Sequence, residues 1–263
     1  MNSTDYIRTL VLAEPDDSGL AVTRTRSRTR DAAAGETPVL PASPLPSGLQ
    51  AAVDAGSLLS FVDGITTQER DDVLHSVQLA HRGASGRFDR GTQVAEWYGL
   101  YTEILEQVGW TSERLAFAEY RQDEGDLRLD KAALKVIAAV ATQNQLSLLT
   151  EALDVLEEMA EGDRAIEIFN FHTSTSTGGN FQIGAVQRSE GGTLAMALGA
   201  FHYTSDDRRR RVLFTGWGAR HLRFWTAAQK LTLNTALYAP NRELIRQKLG
   251  AQVQSFLAGL DLG

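Results

Sequence analysis

Apolar residues in the first two-thirds of the chain recur at helical spacing, and the spacing predicts helices in pairs. Residues 66–82 carry Val73, Leu74, Val77 and Ala80 on one stripe, with Thr66 and Glu69 at capping-box spacing. Gly83, Gly86 and Asp89 then mark a loop. Over residues 91–108, Val94, Trp97, Tyr98, Tyr101, Ile104, Leu105 and Val108 follow the i, i+3, i+4, i+7 pattern, and Gly109 is a natural C-terminal stop. Residues 112–121 read as extended, with Leu115 and Phe117 on one face. A second round follows. Asp130 is placed to cap a helix reaching about residue 142, with Leu134, Ile137, Ala138 and Ala141 inward. Asn144 is placed to cap another that ends near residue 161, with Leu149, Leu153, Leu156 and Ala160 inward. Residues 164–172 alternate, Ile166 and Ile168 one way, Phe169 and Phe171 the other, which predicts a strand.

The two rounds share a phrase. Leu100-Tyr101-Thr102-Glu103-Ile104-Leu105-Glu106 returns in outline as Leu148-Leu149-Thr150-Glu151-Ala152-Leu153-Asp154. A duplicated helix-helix-strand unit would place Leu100 and Leu148, and Leu105 and Leu153, in matching positions; chance likeness between two amphipathic helices is the competing explanation. From residue 173 the composition turns to Gly, Ser, Thr and aromatics. Residues 181–187, 193–203, 210–217 and 222–233 read as four strands, with turn clusters at 189–192 and 205–207. Pro240 suits the first turn of a last helix striped by Leu244, Ile245, Leu249, Val253, Phe256 and Leu257.

The expected architecture is α+β: two helix-helix-strand units, a four-stranded antiparallel meander and a C-terminal helix. Residues 51–263 form one domain, with a helical half at 51–162, a sheet half at 163–237 and the helix at 238–260. Residues 1–50 form an extended N-terminal arm and Pro-rich linker. Within the arm, 7–12 reads as a short strand. Residues 23–30 alternate Thr/Ser with Arg24, Arg26, Arg28 and Arg30, and 38–46 holds four prolines. Such an arm offers little to bury, so folding would survive its removal; alternatively it docks on an acidic partner, an anionic surface or a neighbouring copy.

Composition narrows the function. A chain of 263 residues with net charge -7 argues against a general nucleic-acid binder. The absence of cysteine removes disulfides, thiolate metal sites and a thiol nucleophile. The start, MNSTDYIRTLVLAEPDD, is not a Sec signal, so the expected location is cytoplasmic or reached by a non-Sec route. The apolar run 136–141 is too short to span a bilayer.

Candidate chemistry is sparse. His75 and His81 are six apart, the wrong spacing to share a helix face, and His172, His202 and His221 fall at strand ends with no acidic cluster beside them. HExxH, G-x-S-x-G, Walker A and dinucleotide fingerprints are absent. No catalytic residue, metal or cofactor is assigned. Three features point to binding. The loop 173–180 offers hydroxyls and amides, with Thr175, Thr177 and Asn180 as candidates for phosphate or sugar; its plain alternative is a solvated connection. Arg208, Arg209, Arg210 and Arg211 follow Asp206 and Asp207 in a hairpin, either a solubilising turn or a basic tip for phosphate head groups. Tyr203, Phe214, Trp217, Phe224 and Trp225 form either a core or, on an outer face, an interfacial surface.

The phrases from Glu96 to Trp110 (EWYGLY…GW), Gly178 to Gly184 (GGNFQIG) and Leu198 to Phe201 (LGAF) resemble a family of microbial proteins built from helices followed by a Gly/Ser-rich sheet, over residues 57–262. That resemblance implies no activity or site residues. The layout is also similar to that of the Erwinia virulence factor. The resemblance implies acylation on a cysteine there; this chain has none, so that anchor is not available to it. The preferred expectation is a non-catalytic bacterial effector or virulence-type protein that binds an anionic membrane surface or a partner protein. The alternatives are an enzyme with a site near His172 and the 173–180 loop, and an assembly component docking through its N-terminal arm.

Overall fold

A computed structural model describes residues 2–13, 43–44, 50–112, 115–121, 126–159, 166, 169–170, 173, 178–205, 213–218 and 222–259, with 43–44 and 251–259 as backbone only. The chain is α+β, a curled mixed sheet covered by helices on both faces. The short strands are β1 (Ser43–Pro44), β2 (Ala51–Asp54), β3 (Ser57–Phe61), β4 (Trp110–Thr111) and β5 (Ala118–Tyr120). The long ones are β6 (Gly178–Arg188), β7 (Leu194–Ser205) and β8 (Leu222–Leu233). Their order is β1-β2-β3-β6-β7-β8-β4, and β5 also pairs with β8. Every pairing is antiparallel except β3 with β6. A parallel pair needs a crossover, and this one, residues 62–177, contains both helical pairs.

The first pair is α2 (Thr67–Ser85) and α3 (Val94–Gln107); the second is α4 (Leu129–Ile137) and α5 (Gln143–Glu158). They lie on opposite faces of the sheet. Leu194, Met196, Leu198 and Ala200 of β7 pack in one core with Val73, Val77, Tyr101, Ile104 and Leu105. Ala197, Phe201 and Tyr203, on the other side of the same strand, pack in a second core with Leu129, Ile137, Leu149 and Leu153. A strand covered on both sides needs apolar residues at consecutive positions, which is why 194–201 reads as an unbroken apolar run.

Local chemistry sets the helix ends. Thr66 and Glu69 form the expected capping box on α2. A second box, Thr142 with Gln145, starts α5 two residues before the expected Asn144 cap. Asp130 does not cap α4. It is buried inside the first turn and accepts two bonds from Arg128 (3.0 and 2.8 Å), whose guanidinium also donates to Glu157 of α5 (2.9 Å). A buried carboxylate needs such a partner, and here the partner ties the two helices together.

Other expectations are corrected. The strand expected at 7–12 is instead the helix α1 (Ser3–Thr9), capped by the Asn2 side chain. The strand expected at 164–172 is helical at each residue described there, 166, 169 and 170, and so is 173 just beyond it. Ile166, Phe169 and Thr173 have helical i, i+3, i+7 spacing and are all buried, a period hidden beneath the I-x-I-F-x-F alternation. The strand expected at 210–217 is a turn over 213–218 in its described part, where Trp217 makes an isolated bridge with Leu127. The meander therefore has three long strands, with β8 pairing directly with β7. The two rounds end differently among the described residues. The segment after α3 enters β4 through Gly109 (φ 110°), whereas the described residues after α5 are helical. The shared phrase reflects two amphipathic helices serving opposite faces. The β2–β3 hairpin, turned at Ala55-Gly56, was not foreseen.

The C-terminal helix is α6 (Arg242–Gly259), entered through a turn at Thr235–Tyr238 and a short 3-10 segment, Ala239–Asn241, that contains Pro240. Both ends of the chain meet α2. Asp72 of α2, almost wholly buried, accepts two 2.7 Å bonds from Arg242. Arg82 of α2 donates to the carbonyls of Ala13 (3.1 Å) and Leu249 (3.3 Å). Thr4 donates to Asn241 and Lys248 donates to the Arg8 carbonyl. Ile7 is 0% exposed within the α2–α3 core. Replacing a buried Ile by Ala costs on the order of 2–5 kcal/mol. Ile7→Ala is therefore expected to lower the thermal midpoint by several degrees, and deletion of residues 2–13 to lower it further. Differential scanning calorimetry checks this; an unchanged midpoint in both would show that α1 contributes nothing to the fold.

Candidate functional site

At one end of the sheet, polar groups gather on the face that α2 and α3 cover. Cross-strand register places Asn180 of β6 beside His202 of β7, His202 beside Trp225 of β8, and Trp225 beside Glu119 of β5. One step inward, Ser57 of β3 lies beside Gln182 of β6 and donates to its Oε1 (2.7 Å). Above them sits Arg90, from the loop between α2 and α3. Its guanidinium lies over the Trp97 ring (4.9 Å) and 2.9 Å from His81 Nε2. It packs so closely on Gly56 that a Cβ there would come within 2.7 Å of it. The Arg90 carbonyl accepts from Asn180 Nδ2 (2.7 Å). Trp97 Nε1 donates to Ser85, and the rings of Trp97, Tyr98 and Tyr101 pack against one another.

Ser57, His81, Asn180 and Gln182 are buried, Asp54 and Arg90 are half-buried, and loss of water dominates the electrostatics of the cluster. Asp54, at the end of β2, accepts from Gln78 Nε2 of α2 (3.1 Å). Loss of water pushes its carboxyl up to about 6, although the Gln78 bond and the charges of Arg82 and Arg90 pull the other way. Burial likewise lowers the Arg90 guanidinium and raises the Tyr98 and Tyr101 hydroxyls. The Tyr101 hydroxyl and Asn180 Oδ1 are buried without a protein hydrogen-bond partner among the described residues.

Outside the cluster, the same row of strands ends in a basic-aromatic surface. Arg223 lies over the Trp225 ring (4.8 Å), and Trp225 stacks on His202 (5.3 Å between centroids). Glu119 accepts from Arg121 (3.0 Å) and Arg223 (3.2 Å), bonds that hold its carboxyl below the usual range. The Arg121 and Arg223 side chains are 82% and 66% exposed. Partial burial lowers the His202 imidazole.

Of the candidate binding residues, Asn180 lies within the described structure. It belongs to β6 rather than to a solvated loop, is 2% exposed, and fastens the α2–α3 connection to the sheet. Thr175, Thr177, Arg208, Arg209, Arg210 and Arg211 lie outside the described residues, as do His172 and His221. Tyr203, Trp217 and Phe224 are core, Phe214 packs against the core, and Trp225 alone of the five aromatics joins the outer surface. Among the described residues, no group of three His, Asp or Glu side chains is placed to hold a metal. No described helix is long and apolar enough to cross a membrane. Arg90, Asp54, Arg121 and Arg223 escaped the sequence reading. The available signals were the Asp-Ala-Gly-Ser turn that places Asp54 and the L-R-F-W alternation that brings Arg223 and Trp225 to one face.

No protein-family model matches the chain, and no curated protein matches its sequence. Among solved structures it is similar to a delta-endotoxin: 12% identity, 80% of this chain and 91% of that one covered, TM-score 0.44. It is also similar to the Evf virulence factor: 12% identity, 86% and 85% covered, TM-score 0.36. A third is the activated Cyt2Ba monomer from Bacillus thuringiensis subsp. israelensis: 10% identity, 68% and 96% covered, TM-score 0.41. These are distant similarities of architecture.

Gly179 tests how tightly this end is built. A Cβ there would stand 1.8 Å from the Thr173 carbonyl oxygen. Gly179→Ala must displace that backbone and is expected to cost about 1–3 kcal/mol in urea unfolding. Gly191→Ala, at a turn where the nearest atom is 3.9 Å away, is the control expected to be near neutral. Equal effects would contradict the close approach.

Proposed function

We propose that this chain is a non-catalytic, virulence-type protein that works by binding an anionic membrane surface. What carries the proposal is the pair of exposed cations Arg121 and Arg223 at one end of the sheet, with the half-buried Trp225 ring under Arg223. Trp225 supplies an amphipathic ring beside the two cations, the combination suited to a membrane interface. The β7–β8 connection leaves from the same end, because β7 stops at Ser205 and β8 begins at Leu222. That connection contains Arg208, Arg209, Arg210 and Arg211. Arg121 and Arg223 against Glu119 leave this described surface basic in a chain of net charge -7. Basic residues near an anionic surface contribute about 1 kcal/mol each, and salt screens that contribution.

The test is co-sedimentation with vesicles of phosphatidylcholine alone and with added phosphatidylserine, at low and physiological salt. Unmodified protein is expected to bind the anionic vesicles and to lose binding as salt rises. Arg121→Gln with Arg223→Gln is expected to weaken binding by roughly an order of magnitude, and Gln at all four tip arginines by at least as much. Failure of the unmodified protein to bind contradicts the proposal and favours a protein partner.

A further inference from the structure

At the basic-aromatic end of the sheet, one acid holds both cations. Arg121 Nη2 donates to Oε2 of Glu119 (3.0 Å), and Arg223 Nε donates to Oε1 of the same carboxylate (3.2 Å). The pairing of β5 with β8 explains the convergence. Its register sets Glu119 opposite Trp225 and Tyr120 opposite Phe224, so one step further Arg121 comes opposite Arg223. Alternation along each strand brings Glu119 and Arg121 to the face that carries Arg223 and Trp225. Like charges directly opposite destabilise a strand pair. Glu119, diagonal to Arg223, is the acid that offsets both among the described residues. The Arg223 guanidinium also lies over the Trp225 ring, so it keeps its place whether or not Glu119 stays on it. The Glu119 side chain is 30% exposed. Exposed ion pairs are weak, so a second anion can take the carboxylate's place.

We propose, on the membrane-binding reading above, that Glu119 is an internal competitor for the phosphate of an anionic lipid headgroup. Its carboxylate occupies the two guanidiniums that the phosphate takes when the protein reaches the surface. Two oxygens of one anion on two guanidiniums is a pattern that carboxylate and phosphate share, and arginine recognises both. In solution Glu119 satisfies the pair and offsets the repulsion between the strand ends. At the membrane the headgroup replaces it, and the carboxylate turns to water. The exchange makes binding depend on the density of negative lipid, because each phosphate must displace a tethered carboxylate whose effective concentration is high. A phosphate already neutralised by its own choline competes poorly, so neutral membranes are passed over.

The experiment is a double-mutant cycle on the full chain, read by co-sedimentation with phosphatidylcholine vesicles containing stepped fractions of phosphatidylglycerol, whose one charge is its phosphate. Glu119→Gln keeps the shape of the side chain and removes its charge, and a shared thermal midpoint shows that each variant is folded. In the unmodified background Glu119→Gln is expected to lower the lipid concentration for half-maximal binding about fivefold, the effect of about one charge at the surface. In a background carrying Arg121→Gln with Arg223→Gln it is expected to change binding by less than about twofold, because no cation is left to release. The same gain in both backgrounds would mean that Glu119 acts only through net charge. No gain in the unmodified background, while that protein binds, would mean that it does not compete. Either result overturns the competitor and leaves the membrane reading standing, whereas no binding by the unmodified protein or by Glu119→Gln removes both. Inorganic phosphate at matched ionic strength without vesicles, followed by the amide NMR shifts of Glu119 and Arg223, is the soluble arm. Saturable shifts there with no vesicle binding would assign the two arginines to a free phosphate and overturn the membrane competitor.

Discussion

Burial of the sheet on both faces is the constraint from which the rest of the structure follows. β6, β7 and β8 run 11, 12 and 12 residues, and two helical pairs press on them from opposite sides. Each strand residue must then fill space against a helix or find a polar partner there. The small residues of β6 and β7 let helices approach closely: a Cβ on Gly199 would meet Ile137 of α4 at 2.6 Å. Several polar residues at these layers are tied down, as Gln182 is by Ser57, and Gln145 of α5 by its bonds to the Ala185 and Ala195 carbonyls.

The two covers are held differently. The α4–α5 pair is fastened by Arg128 bridging Asp130 and Glu157, and by the Thr142–Gln145 box with its reach into the sheet. The α2–α3 pair is clasped by the N-terminal segment and the C-terminal helix, through Arg242 on Asp72 and Arg82 on the Ala13 and Leu249 carbonyls, and meets the sheet through a polar cluster in which Gln78 donates to Asp54. The basic-aromatic end lies on this same face of the sheet, beyond the cover, so Asn180, His202 and Trp225 form a continuous path from buried cluster to open surface.

Much of the helical half was legible because amphipathic stripes carry their own period. Trp97, Tyr101, Ile104 and Leu105 specify α3 with no tertiary information, and Thr66 with Glu69 specifies the start of α2. β6, β7 and β8 were legible from their lengths and bounding turns. Topology was not: nothing local shows that β3 pairs in parallel with β6 across more than 100 residues, or that similar phrases in α3 and α5 face opposite sides of a sheet. The stretch around Ile166 and Phe169 misled because alternation and helical spacing coexist in it. The polar cluster was invisible for a related reason. Asp54, Arg90 and Asn180 lie far apart in sequence and are ordinary loop or strand-end residues until the fold brings them together.

The absence of cysteine allows a direct test of two-sided burial. Ala197 faces α4 and α5, Ala200 faces α2 and α3, and both are 0% exposed. Single cysteines at these positions, with one at exposed Glu190 as reference, can be followed by their reaction with a water-soluble thiol reagent under native conditions. Strong protection at both 197 and 200, with rapid labelling at 190, is the predicted result. Protection at one strand position with rapid labelling at the other would mean that one face of the sheet is open to water, and would contradict the architecture on which the account stands.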